Sequence, residues 1–425
     1  MTETPDEIIH RYLSATPGLI ADRHRSEDVA ALGLRRMTLL LVALDQPQLA
    51  YPTIHIAGSK GKGTVAYVLE ALVRAGGRRT GMFTSPHLTR WNERIQIDGV
   101  PIADRPFGAA LATVDRAMQT IQHQHPDNGQ FNAFELLTAT AFLLFRDAQV
   151  ELGVIETGLG GRCDSTNHLQ PKVTIITRIE AEHTDVLGDS LSEIAWNKSG
   201  IMRSGVPCVV VAQTDEVLTQ LAADAEAFEA PLLVEGRDWS ISDPGLRFRS
   251  PALPGSVNAS NIAAALVALR HTYPHLIESD SLVAETLAGL QIPGRFEVVA
   301  SSQSTLVLDV AHTSESIDQV LRNVEDRWPG IPIDLVFSVL ADKQIDAILA
   351  KLPGRIVRLV LPAQRNPRAV PASDLAVLAR QHGLDPLVAE STAEALAHVR
   401  PEAITLVSGS FGLVATAREL LRPSN

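Results

Sequence analysis

Apolar residues fall along the chain in two rhythms. Short runs rich in β-branched residues alternate with longer stretches in which apolar positions recur every three or four residues. Thr53 to Ala57 reads as a strand, and Val65, Val68, Leu69, Leu72 and Val73 share one face of the helix that follows. Arg79 to Phe83 predicts a second strand, and Arg94 to Ile102 alternates around Asp98-Gly99, a hairpin signal. Helices are predicted over Asp104 to Gln122 and Phe134 to Asp147, with a polar loop from Gln122 to Phe131 between them. Strands recur at Leu152 to Ile155, Val173 to Thr177 and Val206 to Val211. Leu232 to Phe248 reads as short strands and turns; Asn258 to His271 and Ser281 to Leu290 are helical. This alternation predicts an α/β fold with a mostly parallel sheet.

Pro293-Gly294 breaks the pattern, and the domain boundary is placed there: one domain over 1–293, a smaller α/β domain over 294–425. Beyond it, Thr305 to Val310, Ile333 to Phe337, Ile356 to Leu361 and Ile404 to Val407 are strands with helices between.

The net charge is −12, which disfavours a general binder of nucleic acid or anionic membrane but leaves room for local basic pockets. Cys163 and Cys208 are the two cysteines, too few for a disulfide framework, so a reducing compartment is expected. The opening MTETPDEIIHRYL has no apolar signal region, and no apolar run is long enough to span a bilayer. The cytoplasm is the expected location.

Candidate chemistry begins where the first strand ends. Gly58-Ser59-Lys60-Gly61-Lys62-Gly63-Thr64 joins a strand to a helix. Glycines let the backbone curl so that N–H groups face inward, and the helix start adds a positive field. Lys62 supplies a cation for terminal phosphates, and Thr64 a hydroxyl for Mg²⁺. The glycine spacing is neither a strict Walker motif nor the dinucleotide fingerprint. It reads as a triphosphate cradle, hence an enzyme that uses ATP. Three further islands follow strands: Thr84-Ser85-Pro86-His87-Leu88, Glu156-Thr157-Gly158-Leu159-Gly160-Gly161-Arg162, and Glu182-His183-Thr184. Open α/β sheets bind ligands at those strand ends.

These islands, in this order, resemble the Mur-ligase superfamily, and within it the folylpolyglutamate synthase/dihydrofolate synthase family. The matching residues include AGSKGKGT at 57–64, TSPHL at 84–88, NER at 92–94, ETGLGGRCDSTN at 156–167, His183-Thr184, Lys198-Ser199-Gly200-Ile201, Asn261, PGRFE at 293–297, DVAH at 309–312 and Gly409-Ser410-Phe411. Leu32 to Met37 (LGLRRM) also fits, so the likeness covers nearly the whole chain.

The resemblance implies a phosphate-loop ATPase domain followed by a smaller Rossmann-like domain. It implies ATP-dependent amide formation: a carboxylate becomes an acyl phosphate, and the amine of L-glutamate displaces phosphate. The acceptor is dihydropteroate, a reduced folate glutamate, or both. A related ligase for another carboxylated metabolite, and a non-catalytic nucleotide-binding paralogue, are the alternatives.

Roles carry over residue by residue. Gly58, Ser59, Lys60, Gly61, Lys62, Gly63 and Thr64 hold the phosphates. Thr64, Ser85 and Glu156 ligate one Mg²⁺, and His183 with a carbamylated Lys198 a second. Asn261, Arg295 and Asp309 bind the nucleotide, Arg295 on domain closure. His312 serves the γ-phosphate or the incoming glutamate. Phe134 and Asp164 contact the pterin, and Ser410 the substrate. The catalytic set is Lys62, His183, Lys198 and His312. A monomer acting on small molecules, without nucleic-acid or membrane partners, is implied. From the residues alone, each has a plainer alternative: Lys198 as an exposed helix lysine, Phe134 as helix core, His183 as a loop histidine and Asp309 as a helix cap.

Glu182, Thr313 and Gly412 depart from the family pattern, where an aspartate, an Asn-Pro pair and a larger residue are expected; Val257 stands where many relatives carry histidine.

Overall fold

The computed structural model describes residues 3–14, 27–300, 304–398 and 400–421. They form two compact units: Met1–His87, Trp91–Arg249 and Ser256–Ala288 in the first, and Leu88–Arg90, Ser250–Gly255 and Gly289–Asn425 in the second.

The first unit is built on eight strands: β1 (Thr53–Ala57), β2 (Thr80–Phe83), β3 (Ile95–Ile97), β4 (Val100–Pro101), β5 (Leu152–Glu156), β6 (Val173–Ile176), β7 (Cys208–Val210) and β8 (Leu232–Val234). Their order is β4-β3-β2-β5-β1-β6-β7-β8. The central strands are parallel and buried throughout, which is why they read as apolar runs. Ile56 lies opposite Glu156 and Ala57 opposite Ile176, so β1, β5 and β6 finish along one edge. The expected hairpin is present as β3 and β4, antiparallel, with Asp98 at φ 53° and Gly99 at φ 74°.

Helix Lys62–Ala75 packs on helix Ser256–Thr272. Elsewhere in the unit, helices Pro5–Ser14, Asp104–Gln124 and Ala133–Asp147 build an apolar core around Ile9, Leu111, Phe142 and Phe145. Asn132 caps the last of these helices through a reciprocal box with Glu135. Buried Arg36 pairs with Glu135 at 3.2 Å and donates to the Asn128 carbonyl at 2.5 Å, which gives the LGLRRM segment a packing role.

The second unit holds β9 (Glu297–Ala300), β10 (Thr305–Leu308), β11 (Ile333–Phe337), β12 (Arg358–Pro362), β13 (Pro386–Ala389) and β14 (Ile404–Ser408), in the order β13-β12-β11-β14-β10-β9. All neighbours are parallel except β9, which runs antiparallel to β10. Strands β9 and β13 are absent from the sequence reading. Both are four-residue edge strands, and β13 opens on proline with Leu387 and Val388 exposed, so neither makes a buried apolar run. Among the described residues no helix is long and apolar enough to cross a membrane.

Candidate active site

The turn after β1 is shaped by two glycines. Gly58 has φ 142°, and a Cβ there would lie 1.9 Å from Thr177 Oγ1. Gly61 has φ 95°, and a Cβ there would meet Asn261 Nδ2 at 2.4 Å. Helix Lys62–Ala75 then begins with no side-chain cap, so the N–H groups of its first turn, at Lys62, Gly63 and Thr64, face outward. Beside them, buried Asn261 carries an Nδ2 with no hydrogen-bond partner. An uncapped helix start next to an orphan amide donor is a receptive place for an anion.

The cradle is narrower than expected. The N–H groups of Ser59 and Lys60 both donate to the Arg178 carbonyl, at 2.9 and 3.1 Å. Ser59 Oγ also bonds the Glu180 backbone. The chain after β1 thus pairs with the chain after β6 for one more step, which removes these two donors from the phosphate face.

Lys62 turns back over the loop, its Nζ 2.9 Å from the Gly58 carbonyl and 3.9 Å from Glu156 Oε1. Lys198 is 1% exposed, which overturns the exposed-lysine alternative. Its Nζ donates to the same Gly58 carbonyl at 2.8 Å and to Glu182 Oε1 at 3.2 Å. Burial, and next the Lys62 charge, lower its ammonium to about 8 against the pull of Glu182. Burial pushes the Glu182 carboxyl up, but Lys198, Lys62 and Lys60 outweigh it and hold the group below the usual carboxylate range. The departure at Glu182 therefore has a use: its longer reach binds Lys198 and lies 4.0 Å from Lys60 Nζ.

Glu156 closes β5, is buried, and accepts from the Ser85 N–H at 3.1 Å. A Cβ on Gly63 would lie 3.8 Å from Glu156 Oε2, so this carboxylate faces the turn that carries Thr64. Two hydroxyls and a carboxylate are hard oxygen donors that suit Mg²⁺. Of the second expected metal set, Lys198 is bonded to Glu182, the chain neighbour of His183. His183 is exposed, with φ 49° at the start of the one-turn helix Thr184–Leu187. Lys198 acts as a cationic donor, the wrong polarity for a ligand until its nitrogen is modified. Among the described residues no three His, Cys, Asp or Glu side chains gather to hold a metal ion.

Phe134 sits in the first turn of its helix and is half-exposed, unlike the buried residues around it. Its ring lies 5.8 Å from the Phe83 ring and directly on Gly158, where a Cβ would approach its Cζ to 2.4 Å. Asp164 corrects the expectation of an open pterin acceptor. Oδ2 accepts from the N–H groups of Gly158 and Leu159 at 3.0 and 2.9 Å, and Oδ1 from the N–H and hydroxyl of Thr166 at 2.9 and 2.6 Å. Four donors occupy its acceptor positions, so the carboxylate organises the turn under Phe134.

Sequence reasoning missed a cluster built from the TSPHL and NER islands. Antiparallel pairing of Phe83 with Ile95 brings them side by side. Arg94 Nε donates to His87 Nδ1 at 3.0 Å and its guanidinium lies 4.7 Å above the Trp91 ring. Burial lowers Arg94 to about 10 against the Glu156 charge, and burial with the Arg94 charge lowers His87 to about 4. The signal was present as two motifs, but their meeting depends on strand pairing.

In the second unit the expected residues gather where β10 and β14 end. Asp309 accepts from the N–H groups of Phe296 and Ala311, both at 2.8 Å. Burial pushes its carboxyl up, with the Arg295 charge opposing. Arg295 is exposed and lies 5.8 Å from the Phe411 ring centre. His312 Nδ1 lies 2.8 Å from the Val310 carbonyl; a carbonyl only accepts, so Nδ1 carries a proton. Thr313 caps helix Ser314–Arg327 with Ser316 in a reciprocal box. Ser410 Oγ accepts from the Leu413 N–H at 3.3 Å at the start of helix Phe411–Leu421. Gly412 is open, with nothing within 4 Å of a Cβ, and Val257 is exposed.

Residues 294–411 match the family model described as Mur ligase, glutamate ligase domain, which sets the class. The chain is 30% identical over 370 residues to the dihydrofolate synthase/folylpolyglutamate synthase of Bacillus subtilis (strain 168), covering 81% of this chain and 84% of that one. A Mycobacterium tuberculosis folylpolyglutamate synthase complexed with ADP and AMPPCP superposes with a TM-score of 0.82 at 30% identity, over 92% of this chain and 96% of that one. An Escherichia coli structure in complex with DHPP and ADP gives 0.77 at 28% identity, over 91% and 92%. The chain belongs to the dihydrofolate synthase/folylpolyglutamate synthase family of Mur ligases.

Proposed function

We propose that this enzyme is an ATP-dependent ligase that joins L-glutamate to the carboxylate of dihydropteroate, to the γ-carboxylate of reduced folate glutamates, or to both. The observation that carries the reading is the Lys62 ammonium on the Gly58 carbonyl, beside an uncapped helix start and the orphan amide of Asn261. Such a place is matched to a polyphosphate.

The acceptor carboxylate oxygen attacks the γ-phosphorus of ATP, the bridging P–O bond breaks and ADP leaves. The glutamate nitrogen then attacks the acyl carbon, the C–O bond to phosphate breaks, and the amine gives up a proton. The protein's task is positioning and charge neutralisation. Lys62 and the N–H groups of Gly61 to Thr64 hold the phosphates, and Asn261 donates from the flank. Thr64, Ser85 and Glu156 would hold Mg²⁺, which supplies charge neutralisation on the phosphate oxygens. The lowered Lys198 ammonium gives a neutral nitrogen that can bond to the carbon of CO₂ with loss of a proton; the carbamate oxygens, with His183, would hold a second Mg²⁺. Phe134 on the Gly158 turn is the platform for the flat pterin. Residues 1–293 carry these tasks, and 294–425 carry Arg295, Asp309, His312 and Ser410 for the outer nucleotide and the glutamate. We place the enzyme in the cytoplasm as a monomer.

The test is ADP release with dihydropteroate and with tetrahydrofolate, each with L-glutamate, ATP and Mg²⁺. Glutamate-dependent ADP with either supports the reading. Its absence with both, while the protein still binds ATP, points to another carboxylated acceptor or a non-catalytic role.

A further inference from the structure

We infer that His55 and Thr166 are positioning residues for the acceptor side of the ligase: they form a directed hydrogen-bond relay that fixes Asp164, and through it the turn under Phe134. This rests on the function proposed above.

His55 is the middle residue of β1, wholly buried, three positions before the phosphate turn. Its Nε2 lies 2.8 Å from Thr166 Oγ1, and Thr166 Oγ1 lies 2.6 Å from Asp164 Oδ1. The direction follows from proton count. A carboxylate only accepts, so the single hydroxyl proton of Thr166 goes to Asp164. Thr166 must then accept from His55, so Nε2 carries the ring proton. Nδ1 is left as a buried lone pair with no partner. Burial, with the Arg203 charge, lowers the ring to about 3, so it stays neutral.

Asp164 passes the constraint on. Its other oxygen holds the N–H groups of Gly158 and Leu159, and the Phe134 ring rests on Gly158 with no room for a methyl group. Strand β1 thus serves both substrates. Its end carries the triphosphate turn, and its inward side chain braces the acceptor platform. A histidine with an orphaned nitrogen is an expensive choice for a core position unless its one donor is needed.

Steady-state ADP release is measured with acceptor and ATP varied separately, in wild type and in His55→Leu, His55→Gln, Thr166→Val and Thr166→Ser. Leu and Val remove a link; Gln and Ser keep a donor near the same place. Expected are a rise of about tenfold in acceptor KM for the Leu and Val variants, with ATP KM within about twofold. The Gln and Ser variants recover most of the loss, and the Leu/Val double variant is no worse than either single one. Equal rises in both KM values, or a Gln variant as impaired as Leu, overturn the inference. Amide hydrogen exchange at Gly158 and Leu159 is the second measurement. It quickens in the Leu and Val variants if the relay exists, and unchanged exchange overturns it. Should His55→Leu fail to fold, the Thr166 pair decides. Wild type inert toward every folate acceptor overturns the ligase reading and the acceptor role together, while exchange still decides the relay.

Discussion

Lys62 and Lys198 share one acceptor: their ammonium nitrogens lie 2.9 and 2.8 Å from the carbonyl oxygen of Gly58. Two cations this close repel, and the repulsion contributes to the lowered ammonium of Lys198. A polyanion entering here gains from the Lys62 charge. Lys62→Ala should therefore reduce turnover by about 10²-fold or more while leaving the fold intact. ADP release and circular dichroism check this; near-wild-type turnover would discredit the triphosphate assignment.

Lys198 should leave a mark on stability against pH. Its ammonium falls from 10.5 to about 8 on folding, so the charged form is disfavoured in the native state. That cost is fully present below the folded value and fades as pH rises from there toward the unfolded value. Lys198→Met should raise the melting temperature near neutrality, abolish activity, and show a shrinking gain as pH climbs through 8 to 10.5. Scanning calorimetry across that window is the check. A gain independent of pH would mean the lysine is not strained by burial.

Gly58→Ala and Gly61→Ala should differ in kind. The added methyl at Gly58 meets Thr177 at Oγ1, Cβ and the backbone nitrogen, whereas at Gly61 it meets the movable end of Asn261. Gly58→Ala should lower stability by about 1–3 kcal/mol, Gly61→Ala by less, and both should weaken ADP binding. Urea denaturation and titration calorimetry separate the two effects. The opposite order would put the rigid contact at Asn261.

Thr313 is a departure from the family pattern that the fold absorbs. It caps helix Ser314–Arg327, so Thr313→Ala should cost about 1 kcal/mol and Thr313→Asn almost nothing. Chemical denaturation of the two variants is sufficient. Equal losses would show that the hydroxyl is not acting as the cap.

What could be read from the chain beforehand follows from how each feature is written in it. Central strands such as Leu152–Glu156 and Ile333–Phe337 are buried on both faces and spell apolar runs. The edge strands Glu297–Ala300 and Pro386–Ala389 exist through pairing, which periodicity does not record. The phosphate turn is contiguous, so its glycines and Lys62 were legible. The Glu182–Lys198 pair and the His55–Thr166 bond join residues 16 and 111 positions apart, and a buried histidine in a strand reads only as an interruption. Asp164 stood out as a chemical group, but its partners, two backbone N–H groups and a threonine, carry no motif.

Arg295 does not hang on a slack tether. Gly294 donates to Glu297 and accepts from the Val310 N–H, Phe296 donates to Asp309, and β9 then zips along β10. Any anion that grips the guanidinium would be felt as tension in the sheet itself, at the strand whose next residues run to His312.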